Sequence, residues 1–219
     1  CGDSRLEAYA EWTSSWVSLR LCDYDAAVEA CRRAVEVAPD SLHRAAALTY
    51  LGSACKDGAQ VGEAIAALEE ALRLYHGFTG VGFMEAFARL SLADALLASD
   101  RPEQAREHAL GTIELGENTR WPLIVGRAQR TLGRALRSLG DLAGAEARLR
   151  EAAATLGGSA HRPQVELALM YLAEVLHQRG ARDEALVHLR AAALGFRELA
   201  LDRLAEQAAD LARGWGVAL

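Results

Sequence analysis

A short segment recurs five times along this chain of 219 residues. In each copy a turn residue or a small residue precedes a polar stretch, then an alanine, then a second apolar residue four positions later. The anchoring alanines are Ala27, Ala64, Ala105, Ala145 and Ala185, with spacings of 37, 41, 40 and 40 residues. Self-similarity at such a period predicts a stack of similar units, because a single unit is too small to bury its apolar face alone.

Two further columns of residues keep the same register. One column holds small residues, Ser15, Gly52, Ala93, Gly133 and Ala173. The position before it holds Ser14, Leu51, Leu92, Leu132 and Leu172. Small residues allow two helices to cross closely, and large residues fill the space beside the crossing.

These columns resemble the tetratricopeptide repeat. The resemblance implies an all-α fold, a right-handed α-α superhelix of five helical hairpins with a capping helix at the end. The period of about 40 residues exceeds the ~34 of the standard repeat. It is similar to the repeats of large bacterial regulators of the maltose-activator type and of peptide-sensing regulators.

Breaker and capping residues predict where the units begin and end. Pro102, Pro122 and Pro163 mark helix starts, and Asp40 with Ser41 caps the helix that follows. The five repeats are predicted at 5–40, 41–78, 82–118, 121–158 and 161–199, and the capping helix at 201–214. No linker interrupts this series, so residues 1–219 are expected to form a single domain. Because the first residue is Cys1 and not Met, the chain is expected to be either processed or cut from a larger protein, and excision from a larger protein is favoured.

The composition excludes several classes of function. A net charge of −6 and a pI near 5.6 argue against direct binding to nucleic acid, because proteins that bind the phosphate backbone usually carry a surplus of basic residues. No apolar run approaches the ~20 residues that span a bilayer, so no membrane partner is expected. The four cysteines show no zinc spacing. Free thiols fit a reducing, cytoplasmic location.

No catalytic constellation is visible. The six histidines form no metal motif, and no nucleophile elbow occurs. The glycine-rich stretch 76–84 lacks the Lys-Ser/Thr ending of a phosphate loop and is predicted to be a connector between hairpins. The chain is therefore predicted to be no enzyme and to need no cofactor or metal.

The resemblance implies that the first helix of each hairpin lines a concave groove, which assigns candidate binding residues. In the fourth hairpin, four arginines recur at i, i+3, i+7 and i+10 and share one helical face. The groove set is Arg127, Arg130, Arg134, Arg137, Phe87, Leu90, Asp94, Met170, Glu174 and His177.

Two interpretations of the arginines stay open. In one, Asp94 and Glu174 neutralise Arg134 in an acid–base–acid ladder across successive repeats. In the other, Arg127 and Arg130 form a cationic seat for an acidic group, because paired guanidinium N–H donors match carboxylate or phosphate oxygens. Apolar residues of the neighbouring repeats would form the walls of that seat.

A second candidate surface is the aromatic stripe of Tyr9, Trp12 and Trp16 in the first repeat. Their spacing of three and four residues places them on one face of a helix. The stripe is typical of a packed core or a domain interface, and a peptide pocket is the alternative.

The sequence thus favours a non-catalytic interaction module, the scaffold or regulatory domain of a larger cytoplasmic signalling or transcription-regulatory protein. Its partner would be a protein or peptide, including another domain of the parent protein, with acidic groups in the groove. The alternative is a sensor domain that binds a small anionic effector or a signal peptide and changes superhelix pitch.

Overall fold

The computed structural model describes residues 23–158 and 161–219. These residues form ten α-helices. The first five are α1 (Tyr24–Glu36), α2 (Ser41–Asp57), α3 (Val61–Tyr75), α4 (Gly82–Ala98) and α5 (Pro102–Thr119). The others are α6 (Pro122–Ser138), α7 (Leu142–Gly157), α8 (Arg162–Gln178), α9 (Arg182–Glu198) and α10 (Asp202–Gly214). The predictions for Tyr9, Trp12 and Trp16 lie outside the described residues.

The predicted all-α repeat fold is confirmed, and the predicted helix starts agree with the structure. Pro102 and Pro122 are the first residues of α5 and α6, and Pro163 is the second residue of α8. The missing N–H of proline does no harm there. Asp40 caps α2 as expected, since its carboxylate accepts a 2.9 Å hydrogen bond from the backbone N–H of His43.

The same turn closes each described hairpin. One residue adopts a left-handed backbone, at Ala59, Asp100, Gly140 and Gly180, with φ of 62°, 57°, 84° and 86°. The next residue donates its N–H to the carbonyl five residues back, as in Asp141 to Leu136 at 3.0 Å. This bond satisfies a carbonyl that the helix end leaves open. The turn therefore recurs with the period of the sequence.

The column of small residues lies where the two helices of a hairpin cross. A Cβ added at Gly52 would lie 2.4 Å from Cγ of Leu68, and one added at Gly133 would lie 2.6 Å from Cγ of Leu149. Ala93 and Ala173, in the same column, are fully buried. These close crossings are the physical reason for the column.

The described residues fall into two compact units, one up to His108 and the other from Ala109, so the boundary lies within α5. In unit 1, helices α1 to α4 pack in sequence, and α2 also contacts α4. In unit 2, helices α6 to α10 pack in sequence, and α6 also contacts α8. Contact between near neighbours is typical of repeat architecture. The single domain over 1–219 stays a prediction.

The end of unit 2 is built by α10. Its alanines Ala205, Ala208 and Ala212 are buried in one cluster with Met170 and Phe196. After α10 the left-handed residue Gly216 repeats the hairpin turn, with the N–H of Val217 donating to the carbonyl of Ala212 at 3.0 Å. The predicted terminal helix is therefore present and covers the apolar end of α8 and α9.

Candidate functional site

The arginine face of α6 consists of Arg127, Arg130, Arg134 and Arg137. Their spacing of three, four and three residues follows the helical period, so one side of α6 carries four guanidinium groups. The opposite side is apolar and buried, as at Ile124 and Leu132. Helix α6 is therefore amphipathic, with one apolar side in the core and one side that carries the arginines.

The structure corrects one of the predicted groove columns. Thr49, Leu90, Arg130 and Met170 occupy equivalent positions in four hairpins, three residues before the column of small residues. All four are buried, with exposures of 0%, 0%, 5% and 0%. Leu90 and Met170 thus pack inside their units and form no open wall. The other three groove columns are half-buried at every described position.

Arg130 therefore introduces a charge into a column that is otherwise uncharged. Its Nη1 donates a 2.6 Å hydrogen bond to Oε1 of Gln164 in the first turn of α8. A buried guanidinium is costly unless its donors are engaged. The contact with Gln164 fixes the side chain in one orientation.

Helix α8 also positions the next two arginines. The guanidinium carbon of Arg134 lies 4.7 Å from the ring centroid of Tyr171, in cation–π contact. Arg137 forms an ion pair with Glu174, in which Nη1 donates to Oε2. Glu174 thus pairs with Arg137, one turn further along α6 than the ladder predicted. The part of the ladder through Asp94 involves the other unit and stays a prediction.

On the side of α8 that contacts the arginines, four residues have the same spacing as the arginines themselves. Gln164, Leu167, Tyr171 and Glu174 recur at i, i+3, i+7 and i+10. Sequence reasoning missed Gln164 and Tyr171, because it aligned the helices by their shared columns. A search of α8 for the spacing pattern of α6 would have found them.

An aromatic contact lies at the C-terminal end of α8. The rings of His177 and Trp215 are stacked, with centroids 4.2 Å apart and planes 5° apart. Trp215, Val217 and Leu219 are partly buried against the cluster at the end of unit 2, whereas Gly216 and Ala218 are exposed. His177 thus stacks on Trp215, a neighbour that the sequence did not suggest.

The predicted groove residues of α4 lie in unit 1. Phe87 is half-buried, and its ring contacts that of Tyr50 with centroids 5.9 Å apart and planes tilted by 42°. Asp94 is also half-buried. The groove that would combine Phe87 and Asp94 with the arginine face remains a prediction.

Neither a metal site nor a membrane span is found among the described residues. Within 23–158 and 161–219, no three His, Cys, Asp or Glu side chains are grouped to hold a metal ion. No described helix is both long enough and apolar enough to cross a bilayer. The described free thiols, Cys31 and Cys55, are buried.

Sequence comparison identifies one repeat directly. The profile of the tetratricopeptide repeat matches residues 14–41. No curated protein matches the chain in sequence. The profile match covers most of the first predicted repeat and the first residue of the second.

Solved structures match nearly the whole fold. A Rap protein complexed with competence and sporulation factor has a TM-score of 0.85 at 18% identity, over 95% of this chain and 59% of its own. The Rap conjugation gene regulator of plasmid pLS20, in complex with the Phr* peptide, has a TM-score of 0.79 at 16% identity, over 94% of this chain and 57% of its own. Tetratricopeptide-like repeats of a putative kinesin light chain from Podosopora anserina have a TM-score of 0.70 at 19% identity, over 90% of this chain and 96% of theirs.

These neighbours define the class of protein, an all-α helical repeat protein. The matched profile identifies residues 14–41 as a tetratricopeptide repeat, and these neighbours show the same helical repeat fold over most of the chain. The chain spans little more than half the length of the two Rap proteins.

Proposed function

We propose that this chain is a non-catalytic binding module that holds an acidic segment of a protein or peptide on the arginine face of unit 2. The observation that carries the proposal is the ordering of that face by α8. An amide at Gln164, an aromatic ring at Tyr171 and a carboxylate at Glu174 each engage one guanidinium. Side chains held in place lose less conformational entropy when a ligand binds.

The charge of the surface favours an acidic ligand. Four guanidinium groups lie on one side of α6, and Arg137 among them pairs with Glu174 of α8. Like charges on one helix face repel each other, so a bound anion would relieve that repulsion. Guanidinium groups bind carboxylates through two parallel N–H donors, which adds geometric specificity to the attraction.

The structural neighbours support a peptide or protein as the partner. One Rap protein is complexed with competence and sporulation factor, and another Rap regulator is in complex with the Phr* peptide. Because the chain covers 59% and 57% of those proteins, we propose that it serves as the regulatory part of a larger cytoplasmic protein. The Phr* complex also favours the alternative, a sensor domain for a signal peptide or a small anionic effector.

A selection experiment tests the acidic preference without a known partner. The purified chain would be used to select random heptapeptides displayed on phage, and one enriched peptide would then be synthesised with a fluorescent label. We expect enrichment in Asp and Glu. In anisotropy titrations, an Arg127→Ala/Arg134→Ala double variant should bind at least tenfold more weakly, because hydrogen bonds to charged groups contribute about 1.5–3 kcal/mol each.

The matched control removes two arginines elsewhere in unit 2. Arg190 and Arg197 lie on an exposed side of α9, so Arg190→Ala/Arg197→Ala changes the net charge equally. This control should bind the peptide as the wild-type chain does. Selected peptides without acidic residues, or equal weakening in both double variants, would contradict the proposal. A small anion that competes with the peptide would favour the sensor alternative.

A further inference from the structure

A separate open depression lies within unit 1, whereas the arginine face belongs to unit 2. It has a volume of about 500 Å³ and is bordered by α3, α4 and the first turns of α5. This volume falls within the ~300–1,000 Å³ that is usual for sites of small molecules. We refer to it as the α3–α5 pocket.

The lining combines an apolar floor with a polar rim. Leu72 of α3 and Leu92 of α4 form the floor, and Leu92 is 1% exposed. Glu69, Arg73 and His76 share the face of α3 that carries Leu72, since they recur at i, i+4 and i+7. A ligand in the pocket would therefore contact both leucine side chains and charged groups.

Arg89 is held in position at the side of the pocket. Its Nε and Nη2 donate to the same carboxylate oxygen of Glu85, at 2.9 and 2.7 Å. These contacts fix the guanidinium plane and leave Nη1 as the remaining donor nitrogen. Glu85 itself is not part of the lining. Arg89 is thus a pre-positioned cation beside an apolar floor.

Arg73 differs from Arg32 and Arg44, two other arginines of unit 1. Arg32 pairs with Glu29 and Glu63, and Arg44 pairs with Glu70. Among the described residues no carboxylate forms an ion pair with Arg73, which is exposed at the rim. A second cation is therefore available within the lining of the pocket.

His108 completes the lining from α5. Burial and the nearby Arg89 cation lower the pKa of this histidine, so its imidazole is neutral at pH 7. The charged groups that face it are Glu69 from α3, Arg89 from α4 and Glu107 on its own helix. The cations of the lining are thus Arg73 and Arg89, of which Arg89 is paired with Glu85.

We propose that the α3–α5 pocket binds a carboxylate attached to a small apolar body, with Arg89 and Arg73 donating to the carboxylate and the two leucines contacting the body. The carboxylate can belong to a simple organic acid or to a free amino acid. In an amino acid, Glu69 would accept from the ammonium group. The site lies in the other unit from the arginine face, so it stands independently of the proposed peptide binding.

The test uses three probes that share one phenyl ring. These are 3-phenylpropanoate, its neutral amide and phenylalanine, each titrated into the full chain while the ring signals of His76 and His108 are followed by NMR. We expect saturable shifts with 3-phenylpropanoate and none with the amide. Tighter binding of phenylalanine would identify the amino acid as the source of the carboxylate, and weaker binding would identify the simple acid.

Variants decide whether the arginines are responsible. Arg89→Gln should weaken binding of 3-phenylpropanoate about tenfold or more, since hydrogen bonds between charged groups are the strong ones. Arg73→Gln should weaken binding of 3-phenylpropanoate severalfold, and it should not disturb folding because Arg73 is exposed. Arg190→Gln, with the same change of charge in unit 2, should have no effect. Equal binding of acid and amide, no saturable shift, or binding unchanged in both Arg73→Gln and Arg89→Gln would overturn the proposal.

Discussion

Replacing Gly133 by alanine tests whether the close crossing of α6 and α7 determines the column of small residues. The added Cβ would lie 2.6 Å from Cγ and 3.1 Å from Cδ2 of Leu149, and 3.2 Å from the carbonyl oxygen of Ala145. Cγ is the branch point of the leucine and cannot move without the whole side chain. The backbone oxygen cannot move without α7.

Two opposing contributions set the size of the effect. Overpacking of a filled core costs about 1–3 kcal/mol, and the short distance to a branch point favours the upper half of that range. Alanine in place of glycine within a helix raises the free energy of unfolding by about 1 kcal/mol, because of its higher helix propensity. We therefore expect Gly133→Ala to lower the free energy of unfolding by about 1–2 kcal/mol, measured by urea denaturation with circular dichroism.

A double-mutant cycle isolates the contact with Leu149. The variant Leu149→Ala removes Cγ and both methyl groups, at a cost of about 2–5 kcal/mol on its own. In that background, Gly133→Ala should stabilise unit 2, because the helix propensity gain remains and only the 3.2 Å contact with the carbonyl oxygen of Ala145 is left. The coupling between the two changes should be about 2–3 kcal/mol.

A matched glycine gives the control for helix propensity. Gly62 of α3 has no heavy atom within 4 Å of an added Cβ, so Gly62→Ala should stabilise the chain by about 0.5–1 kcal/mol. The reasoning would be refuted if Gly133→Ala stabilised the chain as Gly62→Ala does. It would also be refuted if Gly133→Ala cost the same with Leu149 and with alanine at that position.

Three further predictions follow from single sites. Ala200 has a φ of 54°, so Ala200→Gly should stabilise by about 1 kcal/mol in urea denaturation. Burial raises the pKa of Glu166 above its usual 4.5, so its charge costs stability at neutral pH. Glu166→Gln should therefore stabilise at pH 7, and the gain measured by thermal melts should vanish as pH falls below 4.5. Arg130→Met, which matches Met170 of the same column, should leave stability unchanged or raise it by about 1–4 kcal/mol.

Each of these predictions has a result that would contradict it. A loss of stability in Ala200→Gly would mean that the methyl group of Ala200 stabilises the fold by more than the left-handed backbone costs. A gain in Glu166→Gln that persisted at low pH would show that charge is not the cause. A loss of stability in Arg130→Met would show that the buried guanidinium and its bond to Gln164 stabilise the fold.

The sequence by itself determined the helices, the turns and the column of small residues. These features depend on short-range chemistry, because a capping aspartate such as Asp40, a proline at a helix start or a left-handed turn acts within a few residues. The crossing at Gly52 and Gly133 was also predictable, since it joins the two helices of one hairpin. Helices α2 and α4 begin at Ser41 and Gly82, where the sequence predicted the second and third repeats to begin.

The tertiary structure alone decided which residues of α6 and α8 meet. Alignment by columns paired Arg134 with Glu174, whereas in the structure Tyr171 lies beside Arg134, and Glu174 pairs with Arg137. It also decided that the column containing Arg130 is buried and that α3, α4 and α5 leave a pocket between them. Such features depend on the rotation and offset between packed helices, and no pattern within one helix encodes that offset. The physical reason is that a helix period specifies a face, whereas a contact requires the position of a second helix.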